Sequence, residues 1–396
     1  MKGVTETVRE KRFSRGQLAA AAVGGALAAL AAAALAVYLL LGPQVFALIQ
    51  GYGVVRTRFV GDYDPVAAVD SALTGLVDGL GDRWSHYLTA KEYEAQNQRR
   101  SNSYVGIGVT VNYDDPRGLS ILSVREDSPA AAELAAGEII TAVDGRSIAG
   151  EERYRGDEAI MGEAGTSVSL TVQTPGGAVR EVRLTRAALE TEPVSYELLD
   201  GGVGYVKLEN FYSHSAEKFI AAVDDLTAQG ASALVFDMRD NGGGYVGELT
   251  DMLDRLLPEG VIFRTRSRNG AEETVESDAR CVEIPMAVLV NADTYSAAEF
   301  FAAELRETAG AVVVGEETSG KGYSQQAIPL LGGGAMNIST ARYYTGKGTS
   351  LIGAGVALDA EAALSAEEEA AFRAGTLSRG DDGPLQTALE LLAQRQ

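Results

Sequence analysis

The chain has very little cysteine and histidine. Cys281 is the only cysteine in 396 residues, so no intrachain disulfide forms and zinc sites built from several cysteines are excluded. His86 and His214 are the only histidines, which argues against a histidine-rich metal site. Any catalytic activity is therefore expected to depend on other side chains.

Positive charge is scarce except at the N-terminus. The formal net charge is −21, but the first fifteen residues carry +3 and the remainder carries −24. So acidic a body argues against nucleic acid and anionic membrane surfaces as main partners. Apolar residues make up 46% of the chain, which is ordinary for a globular protein and argues against disorder.

Residues 18–41 form a run without any charged side chain. Twenty-four such residues are enough to span a hydrocarbon core of roughly 30 Å as a helix. The basic residues before the run predict a cytoplasmic tail at 1–17, with everything after Pro43 extracytoplasmic, either extracellular or periplasmic. A cleaved signal peptide is the alternative, because Ala34-Leu35-Ala36 has the small-x-small pattern, but the apolar run continues past it.

The hydrophobic pattern divides the rest of the chain into four regions. Residues 42–103 are predicted to be a helical region, with helical periodicity from Asp64 to Gln98 that is interrupted by "GDRWSHYL". Residues 104–188 contain short β runs and a hairpin at "GGAVR", typical of a small α+β module; "DSPAAAEL" within it predicts a short helix. Residues 189–362 alternate apolar strands with helices, as in a layered α/β domain whose central strands are covered on both faces. Residues 363–396 include a capped C-terminal helix.

Ser296 lies in "NADTYSAAEFF", directly after one predicted strand and at the start of a helix. Unpaired backbone N–H groups and the helix dipole at such a position favour developing negative charge. A nucleophile is one interpretation. The other is an ordinary helix cap, with Glu299 three residues later completing a capping box.

"RDNGGGYVG" at 239–247 is a strand-to-helix loop with three successive glycines. Such a backbone approaches a ligand closely and can point its amides at an oxyanion. A merely flexible turn is the alternative. A phosphate-binding P-loop is not indicated, because no Lys-Ser/Thr pair follows the glycines.

Lys321 stands between two glycines in "SGKGYSQ", four residues before Gln325. Burial in an apolar site would lower the lysine pKa and produce a general base, whereas a solvated lysine on a turn is the alternative. Ser296, Lys321 and the glycine loop each follow a predicted parallel strand, and the carboxyl ends of such strands share one edge of a sheet. A serine paired with a neutral lysine is a known way to activate a hydroxyl without histidine.

Ordered segments across residues 66–392 resemble the C-terminal processing peptidases, also called tail-specific proteases. "YVGIGV", "SPAAAEL" and "GEIITAVDGRSI" are similar to the PDZ domain of that family. "VFDMRDNGGG", "TYSAAEFFAAEL", "GKGYSQ" and "ISTARYYT" resemble its protease core in the same order. The resemblance implies a layered α/β core of the crotonase and Clp-protease type with an inserted PDZ domain at 104–188.

The same resemblance implies roles for individual residues. Ser296 would be the nucleophile, Lys321 the general base and Gln325 the residue that positions the lysine. The backbone amides of Gly243 and Ala297 would form the oxyanion hole. In the PDZ domain, the loop formed by Gly106, Ile107 and Gly108 would receive a substrate's C-terminus. Gly242 departs from the family pattern, which commonly has proline there.

The sequence therefore predicts a membrane-anchored serine endopeptidase with a Ser-Lys catalytic site. Its partners would be proteins or peptides with apolar C-termini, and the family likeness suggests a homo-oligomer. The mechanism requires no metal and no organic cofactor. The alternatives are an inactive PDZ scaffold that binds protein C-termini and, less favoured by the PDZ module, a crotonase-like acyl-transfer enzyme.

Overall fold

The computed structural model describes residues 15–395 and divides the chain into two units, Met1–Ser71 and Ala72–Gln396. Most of the basic tail predicted at 1–17 lies outside the described residues. Each unit is described below by itself.

The N-terminal unit contains a long apolar helix. Helix α1 is Arg15–Arg58, with a break at Gly42, where φ is 75° and ψ is 163°. Pro43 follows the break, at a position where a new helix tolerates proline because its first N–H groups have no helical partner. Among the described residues, the segment Leu18–Arg58 is the one helix long and apolar enough to cross a membrane, by length and composition alone. A signal sequence passes the same test.

Two helices and a short strand follow: α2 (Pro65–Asp78), β1 (His86–Leu88) and α3 (Ala90–Arg100). Asp64 accepts a hydrogen bond from the Val66 amide at 2.8 Å and so caps α2. Thr89 and Glu92 form a reciprocal capping box at the start of α3. The predicted interruption at "GDRWSHYL" thus separates two helices and also contains a strand.

The region predicted to be a PDZ domain, called the PDZ region below, is built on a six-stranded antiparallel sheet with the main order β3-β4-β5-β7-β8, β6 pairing with β5. Residues alternate between buried and half-exposed along its strand β7, as expected when one face of a sheet covers a core. Its elements are β2 (Ser103–Gly106), β3 (Val109–Asn112), β4 (Leu119–Val124), β5 (Ile139–Val143), β6 (Arg146–Ser147), a 3₁₀ turn (Gly150–Arg155), α4 (Gly156–Ile160), β7 (Ser167–Gln173), β8 (Val179–Thr185) and β9 (Ala187–Glu190).

The short helix predicted at "DSPAAAEL" is wrong, because the segment forms turns. Its backbone is drawn into other contacts. The Ala130 amide donates to the Ile107 carbonyl at 3.0 Å, and the Ser128 hydroxyl donates to the Arg125 carbonyl at 2.7 Å. The bond from Ala130 ties the segment to the loop at 106–108, and the segment passes through turns without forming a regular helix.

The two connections between the PDZ region and the core run side by side. Strands β2 and β9 pair antiparallel, with Ser103 opposite Glu190. Asn102, at the base of this ribbon, is buried, and its side-chain amide donates to Asn210, Ser213 and Ser215, each at 3.0 Å. Its backbone carbonyl accepts from the Thr191 amide at 2.7 Å. One asparagine therefore joins both connections to the core.

The remaining chain forms two sheets and five helices. Its elements are β10 (Val194–Leu199), β11 (Val203–Leu208), α5 (Ser215–Ala228), β12 (Ala233–Asp237), α6 (Val246–Leu256), β13 (Gly260–Ser267), β14 (Glu272–Ser277), β15 (Met286–Val290), α7 (Ala297–Ala309), β16 (Val312–Gly315), β17 (Tyr323–Pro329), β18 (Ala335–Tyr344), β19 (Ala360–Glu361), α8 (Ala366–Arg373) and α9 (Gly383–Ala393). The central sheet has the order β10-β11-β12-β15-β16-β19 and is parallel from β11 onward. The second sheet joins β1, β18, β13 and β14, with β17 paired to β18.

Both faces of the central sheet are covered. On one face Phe236 packs with Phe219 and Phe301 at ring separations of 5.3 and 5.4 Å. On the other face, side chains such as Val235 and Leu289 form a cluster with Leu385 and other residues of α9. Every residue of β12 and β15 is consequently buried, as the apolar runs predicted. Truncating one such phenylalanine to alanine would cost about 3–5 kcal/mol.

A buried ion-pair network holds the C-terminal helix on this sheet. Arg239 donates to Asp237 at 2.5 Å and to Asp382 at 2.7 Å, and all three side chains are almost completely buried. Asp382 also caps α9 by accepting from the Leu385 amide at 3.1 Å. Removing one partner from such a network leaves an uncompensated buried charge, so the network is costly to break. The network therefore holds Arg239, the first residue of the glycine loop, in place.

Candidate active site

The loops that follow β12, β15 and β16 meet at the carboxyl edge of the parallel sheet, as the strand order requires. They border a cavity of about 840 Å³, within the usual range for ligand sites. Ser296, Lys321 and Gln325 all line it, together with Ala297 and Gly244. The structure therefore brings together the three side chains that the sequence singled out.

Ser296 has an unusual backbone conformation. Its φ is 62° and its ψ is −122°, a region that side-chain-bearing residues rarely adopt, and α7 begins at the next residue. Such strain costs on the order of 1–3 kcal/mol and persists only where the surroundings hold it. Here the Ser296 amide donates to the Glu299 carboxylate at 2.9 Å. The serine thus occupies the helix-cap position, and its side chain borders the cavity.

Lys321 is only 8% exposed. Its Nζ donates to Gln325 Oε1 at 2.7 Å and lies 5.0 Å from the centre of the Trp84 ring. Burial, assisted by the positive charge of Arg100, lowers the pKa of Lys321 from 10.5 to about 8. About a tenth of such lysines are uncharged at pH 7, compared with fewer than one in a thousand at an ordinary pKa. The side chain can therefore accept a proton near neutral pH.

Gln325 lies in β17, at an irregularity in its pairing with β18 between Ser324 and Gln325. Its side-chain oxygen accepts from Lys321, and its side-chain nitrogen donates to the Trp84 carbonyl. The amide is thus held at both ends. Because an amide oxygen carries no charge, it orients the lysine without stabilising the protonated form as strongly as a carboxylate would.

Glu299 does more than the capping box predicted from the sequence. Its side chain is completely buried and accepts hydrogen bonds from three backbone amides, those of Ser296 at 2.9 Å, Gly320 at 2.7 Å and Lys321 at 3.1 Å. One carboxylate therefore joins the start of α7 to the lysine loop. The sequence pattern gives only the first of these bonds, because the other two depend on how the sheet brings distant loops together.

Trp84 was not among the predicted site residues. Its ring stacks on Tyr295 with centroids 6.4 Å apart, and its carbonyl holds Gln325. The neighbouring Arg83 donates to the Ser319 carbonyl at 3.0 Å. The segment before α3 therefore forms one wall of the site. Trp84 is the only tryptophan in the chain, and this is the one sequence signal that could have drawn attention to it.

The glycine loop packs closely against the start of α7. A Cβ placed on Gly243 would lie 2.7 Å from the Ala297 nitrogen, and one on Gly244 would lie 2.2 Å from the Phe211 carbonyl oxygen. Gly243 also has φ 80°, so glycine is required by space and by conformation. Its amide donates to the Asn241 side chain at 2.8 Å. Of the two predicted oxyanion donors, Ala297 borders the cavity and Gly243 is engaged with Asn241.

Gly242 has a neighbour that explains its small size. A Cβ there would lie 2.6 Å from the Tyr295 hydroxyl. A larger residue at this position, such as the proline common in the family pattern, would displace the tyrosine that stacks on Trp84.

The predicted PDZ loop lies apart from the residues that line this cavity. Ile107 is 1% exposed and belongs to the PDZ core, and its carbonyl accepts from the Ala130 amide. Gly108 has φ 84°, and a Cβ there would lie 2.1 Å from the Ser128 Cβ. The following strand, β3, forms one edge of the PDZ sheet and pairs only with β4 in the described sheet.

Comparison with known proteins assigns both regions. The profile of Peptidase family S41 matches residues 202–362, and the PDZ domain profile matches residues 94–173. The carboxy-terminal-processing protease of Bartonella bacilliformis is 29% identical over 315 residues, which cover 77% of this chain and 72% of the relative. The carboxyl-terminal-processing protease of Picosynechococcus sp. is 31% identical over 310 residues, covering 75% and 73%.

A solved structure from Bacteroides fragilis NCTC 9343, described as an S41 protease, has the same fold. It matches with a TM-score of 0.51 and 18% identity, covering 87% of this chain and 97% of that one. Fold and comparisons together define a serine-type peptidase that carries a PDZ domain. The chain belongs to the carboxy-terminal processing proteases of peptidase family S41, and the predicted family and fold class are confirmed.

Proposed function

We propose that this peptidase is anchored in a membrane, cleaves proteins outside the cytoplasm and uses Ser296 as nucleophile with Lys321 as general base. The observation that carries the catalytic part is the setting of Lys321. It is a buried amine with a lowered pKa, it borders the same cavity as Ser296, and its one hydrogen-bond partner given by the structure is the uncharged Gln325. A surface lysine on a turn would have none of these properties.

The proposed reaction begins with neutral Lys321 removing the hydroxyl proton of Ser296. The serine oxygen attacks the substrate carbonyl, and the lysine then gives the proton to the departing amine. Water, deprotonated by the same lysine, hydrolyses the acyl-enzyme. Gln325 keeps the amine oriented throughout.

The oxyanion formed in each step needs hydrogen-bond donors at the start of α7. We assign this role to the amides of Ala297 and Gly243. Because the Gly243 amide donates to Asn241 in this structure, its participation requires the Asn241 side chain to release it. A well-placed donor contributes about 3 kcal/mol to transition-state stabilisation, so this release would act as a switch on the rate.

Substrate tails would bind to the PDZ region, which we propose extends over residues 104–188. The free edge of β3 accepts an extended peptide as an added strand, and the loop of Gly106, Ile107 and Gly108 receives its terminal carboxylate. Peptide bonds are then cut in the core at 189–362. Apolar side chains that border the cavity, including Leu249, Phe263 and Phe300, suit apolar residues near the cut.

For the anchor, we propose a cytoplasmic tail at 1–17 and a membrane span at 18–41, followed by helical segments at 42–103 and 363–396 on the same side as the core. The excess of basic residues before the span supports this orientation. The uncharged segment 18–41 of α1 and the break that follows it at Gly42 support the length of the span. Accessibility of single cysteines introduced at residues 5 and 60, in a Cys281→Ala background, to an impermeant maleimide tests the topology in cells.

The catalytic proposal is tested with the full chain in detergent and a loosely folded protein that ends in small apolar residues. We expect cleavage by the parent and none by the Ser296→Ala or Lys321→Ala variants, whose circular dichroism should match the parent. Substantial cleavage by Lys321→Ala would refute the dyad. Binding of the tail without cleavage by any of the three proteins would instead favour the scaffold alternative.

A further inference from the structure

The cavity of this acidic protein has a basic lining. Among the described residues that border it, four carry positive charge, namely Arg83, Arg99, Arg100 and Lys321, and none is an aspartate or glutamate. The whole chain has 55 acidic residues and 34 basic residues. Composition alone would therefore predict several carboxylates in a lining of this size. The cavity presents positive potential to a ligand that carries negative charge.

Two of these arginines are available for such a ligand. Arg99 and Arg100 are the last residues of α3, the first exposed and the second half-buried. Within residues 15–395, no carboxylate forms an ion pair with either side chain. The Arg100 guanidinium lies 5.8 Å from the centre of the Tyr245 ring, at the end of the glycine loop. Arg83 differs, because it stacks on Trp84 at 4.2 Å and donates to Ser319.

The carboxylates that act electrostatically on Lys321 have partners of their own. Asp82 accepts from the Ser85 hydroxyl at 2.5 Å and from the Trp84 amide at 3.1 Å. Glu299 is buried beneath the site and accepts from three backbone amides. Neither borders the cavity, so neither neutralises the arginines there.

A simpler explanation accounts for part of this arrangement. Basic residues in the last turn of a helix interact favourably with the helix dipole, which suits Arg99 and Arg100 at the end of α3. The dipole does not explain why Gln96 and Asn97 of the same helix also border the cavity, or why no acidic residue does. The end of α3 therefore forms a polar and cationic wall of the substrate site.

We propose, on the basis of the peptidase function proposed above, that Arg99 and Arg100 bind a carboxylate of the substrate close to the bond that is cut. A guanidinium presents a planar pair of donors that matches a carboxylate. The carboxylate belongs either to an aspartate or glutamate side chain or to the free C-terminus of the substrate. In the second case the enzyme releases short C-terminal fragments.

The test uses quenched fluorescent peptides of one apolar sequence with the full chain in detergent. Glutamate or glutamine is placed at each position around the cut, and every peptide is made with a free or an amidated C-terminus. We expect the parent to cleave the preferred acidic peptide about tenfold better, in kcat/KM, than its neutral counterpart. The Arg99→Gln/Arg100→Gln variant should abolish that ratio.

The ratio of kcat/KM between acidic and neutral peptides separates anion binding from other effects of the arginines. Losing the charge of Arg100 also raises the pKa of Lys321, which slows cleavage of both peptides equally and leaves the ratio unchanged. Arg266→Gln/Arg268→Gln changes two exposed arginines at the β13–β14 end that do not border the cavity; it removes the same number of charges and should keep the ratio. A glutamate effect identifies a side-chain carboxylate, and an amidation effect that vanishes in the arginine variant identifies the C-terminus. Ratios below about twofold in the parent, or ratios that persist in the variant, overturn the proposal.

Failure of the proposed function would look different. If the parent cleaves none of the peptides, the peptidase proposal fails for these substrates. Binding of the same labelled peptides to Ser296→Ala, with and without the two arginine changes, is then measured by fluorescence anisotropy. An acidic preference that disappears with the arginines supports the inference, and equal binding of acidic and neutral peptides overturns it.

Discussion

The PDZ sheet and the central core sheet differ in how their edges and faces are covered. Core strands β12 and β15 have neighbours on both sides and helices on both faces, so every residue in them is buried. The PDZ sheet ends at β3, and α4, the one α-helix between its strands, has five residues. A covered sheet can hold strained or buried groups in place, whereas an open edge can take up another strand. The difference separates a part of the molecule suited to chemistry from one suited to recognition.

The core holds costly groups at its candidate active site. The left-handed backbone at Ser296 and the buried amine of Lys321 both lower stability, and the surrounding hydrophobic core offsets that cost. Changes in the core site should therefore alter activity and stability in opposite directions at some positions. Changes at the PDZ loop should alter the use of long substrates alone.

The largest expected effect comes from Lys321→Met. Activity should fall by roughly 10³-fold or more because the proposed general base is lost. Stability at pH 7 should rise by up to about 3 kcal/mol, because folding no longer requires a buried amine to give up part of its affinity for protons. Urea unfolding and kcat/KM measure the two effects. Lys218→Met, which removes a lysine paired with Glu192 near the surface, should change neither by much.

The pH dependence follows from the same lysine. Because the pKa of folded Lys321 is about 8 and that of the unfolded residue is 10.5, the unfolded chain binds more protons between these values. Stability of the parent should therefore rise with pH above 8, and the advantage of Lys321→Met should shrink as it does so. Activity of the parent should rise through pH 8 as the amine loses its proton. A stability difference that is constant from pH 7 to 9.5 would contradict the assigned pKa.

Glu299→Gln should produce the next largest effect. The change replaces an acceptor for three backbone amides with a group that carries its own donors, at a completely buried position. We expect a loss of about 2–4 kcal/mol in stability and of roughly 100-fold in kcat/KM. Glu368→Gln is the matched control, because Glu368 has the same capping-box position in α8 but is only half-buried. Equal effects of the two changes would show that Glu299 is only a cap.

Gly108→Ala should give the smallest effect on chemistry. The new Cβ would lie 2.1 Å from the Ser128 Cβ at a position with φ 84°, so the PDZ loop must shift. We expect KM for substrates with long tails to rise by about tenfold, while kcat/KM for short peptides stays within about twofold. Gly145→Ala, at φ 75° with open space around it, controls for the cost of the backbone conformation alone. A matching loss with short peptides would show that the loop also supports the core site.

The convergence of the catalytic candidates could be read from the sequence because it depends on strand order. Apolar runs such as "ALVFDM" and "MAVLVN" have the composition of strands buried on both faces, and loops at the carboxyl ends of such strands must meet. The second sheet could not be read in this way. Strand β14 is largely exposed, strand β17 has no buried residue, and both lack apolar alternation, so no hydrophobic pattern marks them.

The contacts that complete the site could not be predicted from the sequence either. Glu299 reaches Gly320 and Lys321, and Gln325 reaches Trp84 from 241 positions away. Contacts over such distances depend on packing between elements and leave no local signature. The helix predicted at "DSPAAAEL" is absent for a related reason. So short a segment has little helical stability of its own, and its conformation depends on contacts such as the bond from Ala130 to Ile107.

The pairing of β2 with β9 makes the PDZ region an insertion that could be exchanged as a unit. Its entry and exit are neighbouring strands, Ser103 facing Glu190, and one buried asparagine secures the junction on the core side. A different domain inserted between these two strands would extend from the surface of the core, and no strand of the central sheet would have to move. With the PDZ region selecting substrate tails as proposed, tail selection and cleavage chemistry could diverge independently during evolution.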